Sequence, residues 1–356
     1  MEVRQLIENQ MRRPASTQAF WFIFVTSPLS FFWEVATTLR NFLFDNRVLR
    51  SRRLPGVTIA VGNLELGGTG KSPLTGLLAR GLVAQGHWPA VLSRGYGVKI
   101  KRGEVLWIQD GGLKASRSGK YDIAGGLPDE ARMLSAQCPG TPFLCSPNRW
   151  LAGQWVLSVA AGSRTPSHWV LDDGFQHRSL FRDHNIAVLD GERPYGNGWC
   201  FPRGSLREPL SGVWRSSSIV SSGVETCAVG LSHIPTFALG IRAARLKVPN
   251  KGGFDDWEPS LVENVTLMTA IARPERVIST LYKILKVTPK AVVFKADHAD
   301  FARSEVEQRL ADGGQIVITE KDYWRHPEVW QAEQGRVLVL FLDWHINDKI
   351  WSVLLR

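Results

Sequence analysis

The chain has 356 residues, 44% hydrophobic and 21% charged, a balance that excludes a disordered polymer and is long enough for two domains with separate cores. Its net charge of +10 calls for an anionic partner: nucleic acid, nucleotide or acidic lipid. The four cysteines (Cys138, Cys145, Cys200 and Cys227) show no C-x-x-C and no paired spacing, which excludes a zinc framework or disulfide scaffold and points to a reducing compartment.

Residues 1–16 are polar, and no signal-peptide pattern opens the chain. The run from Ala19 to Val25 is wholly apolar but far shorter than the roughly 20 residues a bilayer crossing needs, and Thr26-Ser27-Pro28 breaks it. After that break, Leu29, Phe32, Trp33, Ala36, Leu39 and Leu43 recur at helical steps, and Arg40, Arg47, Arg50, Arg52 and Arg53 gather toward the far end. An aromatic amphipathic helix with a basic end suits a membrane interface; a core-packing helix with a solvated basic tail is the alternative.

Val57-Thr58-Ile59-Ala60-Val61 reads as a buried strand, and Leu74, Leu77, Leu78 and Leu82 mark a helix from Pro73 to Gln85. Between them lies Gly67-Gly68-Thr69-Gly70-Lys71-Ser72. Strand, glycine-rich turn and helix form the context of a phosphate-binding P-loop, in which backbone N–H groups and a helix N-terminus converge on phosphate oxygens. Lys71 would reach the β- and γ-phosphates and the Ser72 hydroxyl would ligate Mg²⁺. Glu65 stands where the general pattern has its first glycine.

Further strands are expected at Pro89–Ser93, Phe143–Cys145, His168–Leu171 and Asn185–Leu189, with a helix from Trp150 to Val159. This alternation predicts an α/β fold: a P-loop, mostly parallel sheet with flanking helices, whose ligands bind beyond the carboxyl ends of the strands. Strands at Phe237–Ile241, Ala243–Val248, Val265–Ile271, Ala291–Phe294, Gln315–Thr319 and Val337–Leu342, with a helix from Pro274 to Lys286, predict a smaller second α/β domain. The expected division is 1–53 for the amphipathic helix, 54–224 for the P-loop core and 225–356 for the second domain.

Polar residues at strand ends carry the candidate chemistry. Asp172-Asp173 follows an apolar strand, where P-loop enzymes keep a Mg²⁺-binding aspartate. Ser93-Arg94-Gly95-Tyr96-Gly97 offers a cation and a hydroxyl suited to an anionic, hydroxyl-bearing substrate. Asp129-Glu130 precedes a helical stretch, and Asp297-His298 follows the strand at 291–294.

The ordered set 67–73, 93–97, Asp-Glu at 129–130, Asp-Asp-Gly-Phe-Gln-His at 172–177, Leu-Arg-Glu-Pro at 206–209, Asp-His at 297–298 and Thr-Glu-Lys-Asp at 319–322 resembles the tetraacyldisaccharide 4′-kinase (lipid A 4′-kinase) family. Three details depart from the family pattern: Pro128 and Ala131 flank Asp129-Glu130, Ala299-Asp300 follows Asp297-His298, and Ser72 replaces threonine. The resemblance implies ATP and Mg²⁺ as cofactors and an acylated disaccharide lipid as acceptor. It also implies a peripheral position on the cytoplasmic face of the inner membrane against anionic lipid, with neither nucleic acid nor an obligate protein partner.

By the same resemblance Gly67, Gly68, Thr69, Gly70, Lys71 and Ser72 hold the nucleotide. Asp129 takes the acceptor proton, with Asp297, His298 and Lys71 beside it in catalysis. Ser72, Glu130, Asp172 and Asp173 serve the metal, and Asn63, Arg94, Tyr96, Gln176 and His177 meet the substrate. The rival readings are a regulatory P-loop ATPase or GTPase and a non-catalytic membrane adaptor. A GTPase would want Asn-Lys-x-Asp, which Thr319-Glu320-Lys321-Asp322 is not.

Overall fold

The computed structural model describes all of the chain except residues 1–6, 8, 9, 12, 123–125, 161–164, 224–232, 251–252, 258–263, 272, 296–298, 312, 332–334 and 356. Two compact units emerge. One comprises Met1–Arg94, Asn148–Gly240 and Ile346–Arg356; the other comprises Gly95–Pro147 and Ile241–His345. The linear division expected at residues 53 and 224 does not separate them, because Gly95–Pro147 groups with the C-terminal residues.

In the first unit, Val57–Gly62 lies between His168–Leu171 and His184–Asp190, all parallel. Pro89–Ser93 extends the sheet on one side, while Ser218–Ser222 and the start of Thr236–Asn250 extend it on the other. Parallel strands need crossover connections, and helices packed on the sheet leave its interior strands buried and continuously apolar. Ile59, Ala60 and Val61 are fully buried accordingly. The helix Lys71–Ala84 meets this sheet with Leu74, Leu78 and Leu82, a single stripe at four-residue spacing.

The helix Phe20–Asp45 corrects the expected break at Thr26-Ser27-Pro28: it is continuous, with Pro28 inside it. Proline removes one helical N–H and crowds the preceding turn. In that turn the Thr26 and Ser27 hydroxyls donate to the carbonyls of Phe22 and Ile23, a local bonding pattern that tolerates the distortion. At 26 residues, with an 18-residue stretch of mean hydropathy 1.3, the helix is long and apolar enough to cross a membrane by length and composition, which the run 19–25 alone is not.

One face of this helix is nevertheless bonded to protein. The Ser30 hydroxyl donates to the Cys200 carbonyl (2.6 Å), the Trp33 indole N–H to the Arg207 carbonyl (2.9 Å) and the Asn41 amide to Glu208 (2.6 Å). Phe22, Thr26 and Ser30 are buried on that face, whereas Phe20, Phe24, Phe31 and Phe32 are 62–82% exposed.

In the second unit four strands run parallel in the order Ala291–Phe294, Val265–Thr269, Gln315–Thr319, Val337–Ile346. Strand alternation sends Ile316, Ile318, Val337 and Val339 to one face and Val317, Leu338 and Leu340 to the other, each face with its own core. The two strands expected at 237–241 and 243–248 are one strand, Thr236–Asn250, because Gly240-Ile241-Arg242 carries no turn chemistry. The real hairpin follows, with Gly253–Asp256 folding back antiparallel on it. Elsewhere in this unit Leu106–Gln109 pairs antiparallel with both Gly112–Ser116 and Phe143–Cys145.

Candidate active site

The strand Val57–Gly62 delivers the chain to Asn63, and the turn at 172–177 packs directly on its end. A Cβ on Gly62 would lie 2.5 Å from the Cβ of Phe175, so only glycine allows this approach. Glu65 occupies the position of the missing first glycine without strain: it forms a β-bridge with Leu206, and the Leu66 N–H donates to the Ser205 carbonyl. The loop's left-handed positions are Gly67 and Gly70, the latter preceding the helix at φ 93°.

Lys71 reaches back over the loop. Its ammonium lies 3.1 Å from the Asn63 side-chain oxygen and 3.5 Å from Asp173 Oδ1. Asn63 was expected at the substrate, but it is fully buried beneath the loop. Its amide donates to Thr69 (2.9 Å) while its oxygen receives Lys71, so it shapes the P-loop from within.

Asp172 and Asp173 have different surroundings. Asp172 is 4% exposed, and its Oδ1 accepts the Thr75 hydroxyl (3.1 Å) from the second turn of the P-loop helix. Asp173 sits at φ 49°, a left-handed conformation rare for a residue with a side chain and concentrated at functional sites. Burial alone would raise its carboxyl, but Lys71 and Arg207 outweigh burial and lower it to about 2. Both Asp173 oxygens accept from Arg207 Nη1 at 2.8 Å. Asp173 is thus engaged by two cations, Lys71 and Arg207.

Arg207 belongs to the Leu-Arg-Glu-Pro stretch at 206–209, whose spacing to Asp173 gives no sign of their pairing. Its neighbour Glu208 is 2% exposed and accepts from Asn41, Gln176 and Arg215. Gln176, expected at the substrate, donates to Glu208 and to the Asn63 carbonyl, so much of its hydrogen-bonding capacity is turned inward.

His177 is held neutral, lowered to about 3 by burial first and then by Arg149, Arg182, Arg40 and Arg94. Arg94 itself is exposed at the end of Pro89–Ser93. A histidine whose folded value lies below its unfolded value of about 6.5 stabilises the fold above that pH, and this contribution is lost as pH falls toward about 3. Asp173 adds a second loss at lower pH, between its ordinary 3.8 and about 2. Thermal melts of His177→Gln are therefore expected to show a shallower decline than the parent between about pH 6.5 and pH 4. Part of the slope will remain, since burial also lowers His168 and His184. Identical slopes for parent and variant would show that His177 is not the group responsible.

In the second unit the helix Asp129–Gln137 begins at the acidic pair itself, placing both carboxylates in its first turn. Pro128 lies against the turn of the glycine motif: a Cβ on Gly95 would meet Ile100 at 2.3 Å, Cys145 at 3.2 Å and Pro128 at 3.4 Å. Gly97 lies beside the Asp129 carboxylate, and Tyr96 is 44% exposed. Asp129 is 3% exposed and accepts Arg325 Nη2 at 3.1 Å; Glu130 pairs with Lys321 at 3.2 Å. Asp297 and His298 lie outside the described residues.

Among the described residues no group of three or more His, Cys, Asp or Glu is arranged to hold a metal ion. Mg²⁺ in kinases does not require such a cage. It is held by one or two carboxylates together with substrate phosphates and water. Asp172 with the Ser72 hydroxyl is an all-oxygen donor set of that kind, so the residues fit a nucleotide-borne Mg²⁺.

Comparison with known proteins agrees with this geometry. Residues 22–356 match the family described as Tetraacyldisaccharide-1-P 4′-kinase. A tetraacyldisaccharide 4′-kinase of Syntrophus aciditrophicus is 36% identical over 85% of this chain and 83% of its own length. One from Pelobacter propionicus is 33% identical over 83% and 81%. The crystal structure of the "apo" form of LpxK from Aquifex aeolicus, in complex with ATP, superposes with a TM-score of 0.69 at 25% identity, over 92% of this chain and 98% of that one. With its P-loop lysine set against a paired carboxylate and its motifs in family order, the chain belongs to the tetraacyldisaccharide 4′-kinase family.

Proposed function

We infer that this chain is an ATP-dependent kinase that transfers the γ-phosphoryl group to the 4′-hydroxyl of tetraacyldisaccharide 1-phosphate, a step of lipid A biosynthesis. The observation that carries the reading is Lys71 poised over the P-loop within 3.5 Å of Asp173, with Asp172 tied to the following helix. Phosphoryl transfer depends mainly on positioning and on neutralising charge across the phosphate oxygens, and this arrangement supplies both.

In this reading the backbone of 67–72 and Lys71 bind the triphosphate, and Lys71 exchanges part of its contact with Asp173 for the β- and γ-phosphates. Ser72 and Asp172 would hold Mg²⁺, which when bound adds positive charge against the phosphate oxygens. Arg207 and Asp173 keep each other oriented at the rim of the loop. Asp129 accepts the proton of the attacking hydroxyl late in a loose transition state, which asks for a well-placed acceptor rather than a strong base. Arg94, Tyr96 and His177 meet the sugar and its phosphate. Incubation with γ-labelled ATP, Mg²⁺ and the tetraacyl disaccharide 1-phosphate tests the reaction: label is expected on the lipid, and label released only as inorganic phosphate would reduce the chain to an ATPase.

We place the enzyme peripherally on the membrane, at the cytoplasmic face where ATP is available, with the exposed aromatic face of Phe20–Asp45 in the interface. Support comes from that helix being protein-bonded on one face and aromatic on the other. The basic end is less available than its sequence suggests. Arg52 stacks on Trp150 (4.4 Å), and Arg53 lies over Phe181 while pairing with Asp183. Arg47, Arg50, Arg52 and Arg53 are all solvent-exposed. The exposed aromatic face of the helix is nevertheless expected to contribute more to membrane contact than these charges, two of which already have protein partners. The double variant Phe31→Asp/Phe32→Asp is expected to lose most co-sedimentation with vesicles while melting at the parent's temperature. Unchanged sedimentation would move the anchor elsewhere.

A further inference from the structure

The motif Thr319-Glu320-Lys321-Asp322 has no role in the reaction described above, yet its helix grips the one that carries Asp129 and Glu130. Thr319 caps the helix Glu320–Arg325 in a reciprocal capping box with Asp322. Asp322 is 2% exposed and is fixed from three sides: the Thr319 hydroxyl (2.7 Å), the Thr269 hydroxyl (2.8 Å) and the Ala270 N–H (3.0 Å). The helix is therefore anchored to the end of the strand Val265–Thr269.

From this anchored helix four contacts reach the helix Asp129–Gln137. Gln137 donates to Glu320 (2.8 Å), Lys321 pairs with Glu130 (3.2 Å), and Arg132 donates to the Trp324 carbonyl (3.2 Å). Arg325 completes the set, directing both Nε (3.3 Å) and Nη2 (3.1 Å) at the single oxygen Oδ2 of Asp129. Its third nitrogen, Nη1, donates to the Ala299 carbonyl (2.8 Å) and lies 3.7 Å from Asp322. The other Asp129 oxygen, Oδ1, accepts the Glu130 N–H (2.8 Å).

We propose that Arg325 is a positioning residue for phosphoryl transfer: held by Asp322 and Ala299, it fixes the rotamer of Asp129 and lies against it as a counter-charge, while Lys321 does the same for Glu130. A carboxylate this deeply buried requires a cationic partner to stay ionised in place. A guanidinium, unlike a lysine ammonium, brings two donors to it in fixed geometry. The Ala299 carbonyl is fastened to the same guanidinium, so one side chain joins two pieces of the unit. The proposal rests on the assignment of Asp129 as proton acceptor.

A double-mutant cycle tests it with the full chain, γ-labelled ATP and the disaccharide lipid. Asp129→Asn is expected to lower kcat by about 10²-fold or more, the scale of losing a general base. Arg325→Met is expected to lower kcat by roughly 10²-fold, as a misplacement of about 1 Å does, with both KM values changed by less than about threefold. In the double variant the loss is expected to stay within about threefold of that of Asp129→Asn alone, because Arg325 acts through a group already removed. Losses that multiply would overturn the positioning role and leave the assignment of Asp129 standing. Asp129→Asn within about threefold of the parent would instead sink that assignment and the proposal with it.

Thr269→Val removes one of the three contacts on Asp322 and leaves the Thr319 hydroxyl and the Ala270 N–H to hold it, so Arg325 stays in place and kcat is expected to remain within about threefold of the parent. A loss equal to that of Arg325→Met would show that the segment merely holds the fold together. Should Arg325→Met fail to fold, Arg325→Lys, which keeps the charge but not the fork, enters the same cycle with the same criteria.

Discussion

Lys71→Ala is expected to lower lipid phosphorylation by at least about 10³-fold, the upper range for removing one preorganised group that stabilises transferring charge. Lys71 is the cation of the P-loop itself, seated 3.1 Å from Asn63 and 3.5 Å from Asp173. Its removal deprives the β- and γ-phosphates of their positive charge as that charge is needed. The fold is expected to survive. Breaking a buried ion pair outright costs about 3–5 kcal/mol, but Asp173 keeps two 2.8 Å contacts with Arg207, so the penalty falls below that range. The check is kcat beside a thermal melt: retained turnover would remove Lys71 from the mechanism, and a collapsed melt would make the activity loss uninformative about it.

The second large effect is expected at Asp172. Asp172→Asn preserves the shape of the side chain and its acceptor for the Thr75 hydroxyl, so packing should be untouched. What disappears is the negative charge available to Mg²⁺ beside Ser72. Turnover is expected to fall by about 10²–10³-fold at fixed Mg²⁺. The Mg²⁺ concentration for half-maximal rate is expected to rise by at least about tenfold, as when metal-site partners are removed. The companion Asp173→Asn separates the two carboxylates. It is expected to lower turnover with a much smaller change in Mg²⁺ dependence, because Asp173 faces Lys71 and Arg207. Equal shifts in Mg²⁺ dependence for the two variants would assign both to the metal.

Much of the fold is legible in the chain because its signals are local. The strand at 57–62 and the helix at 71–84 follow from a β-branched apolar run and from leucines four residues apart. Where reading failed, a local rule was overruled. Pro28 signals a helix end, yet the helix continues because residues on both sides of it are bonded to protein: Ser27 accepts from Arg203, and Ser30, Trp33 and Asn41 donate to Cys200, Arg207 and Glu208. The contact grouping departs from a linear division for a different reason. Residues 95–147 and 241–345 are far apart in sequence, and only their contacts group them.

The candidate site divides along the same line. Its motifs, and hence the family and the reaction class, stand in the amino-acid order itself, because a phosphate-binding loop is made by neighbouring residues whose backbone groups converge over one turn. The partners of the charged groups do not. Asn63 beneath the loop, Arg207 on Asp173 and Arg325 on Asp129 join residues 34 to 196 positions apart in the two ion pairs, and no spacing rule predicts such pairs. Buried charges must find counter-charges wherever the folded chain brings them, so the division of labour between Asp172 and Asp173, and the hold on Asp129, were decided only when the tertiary structure formed.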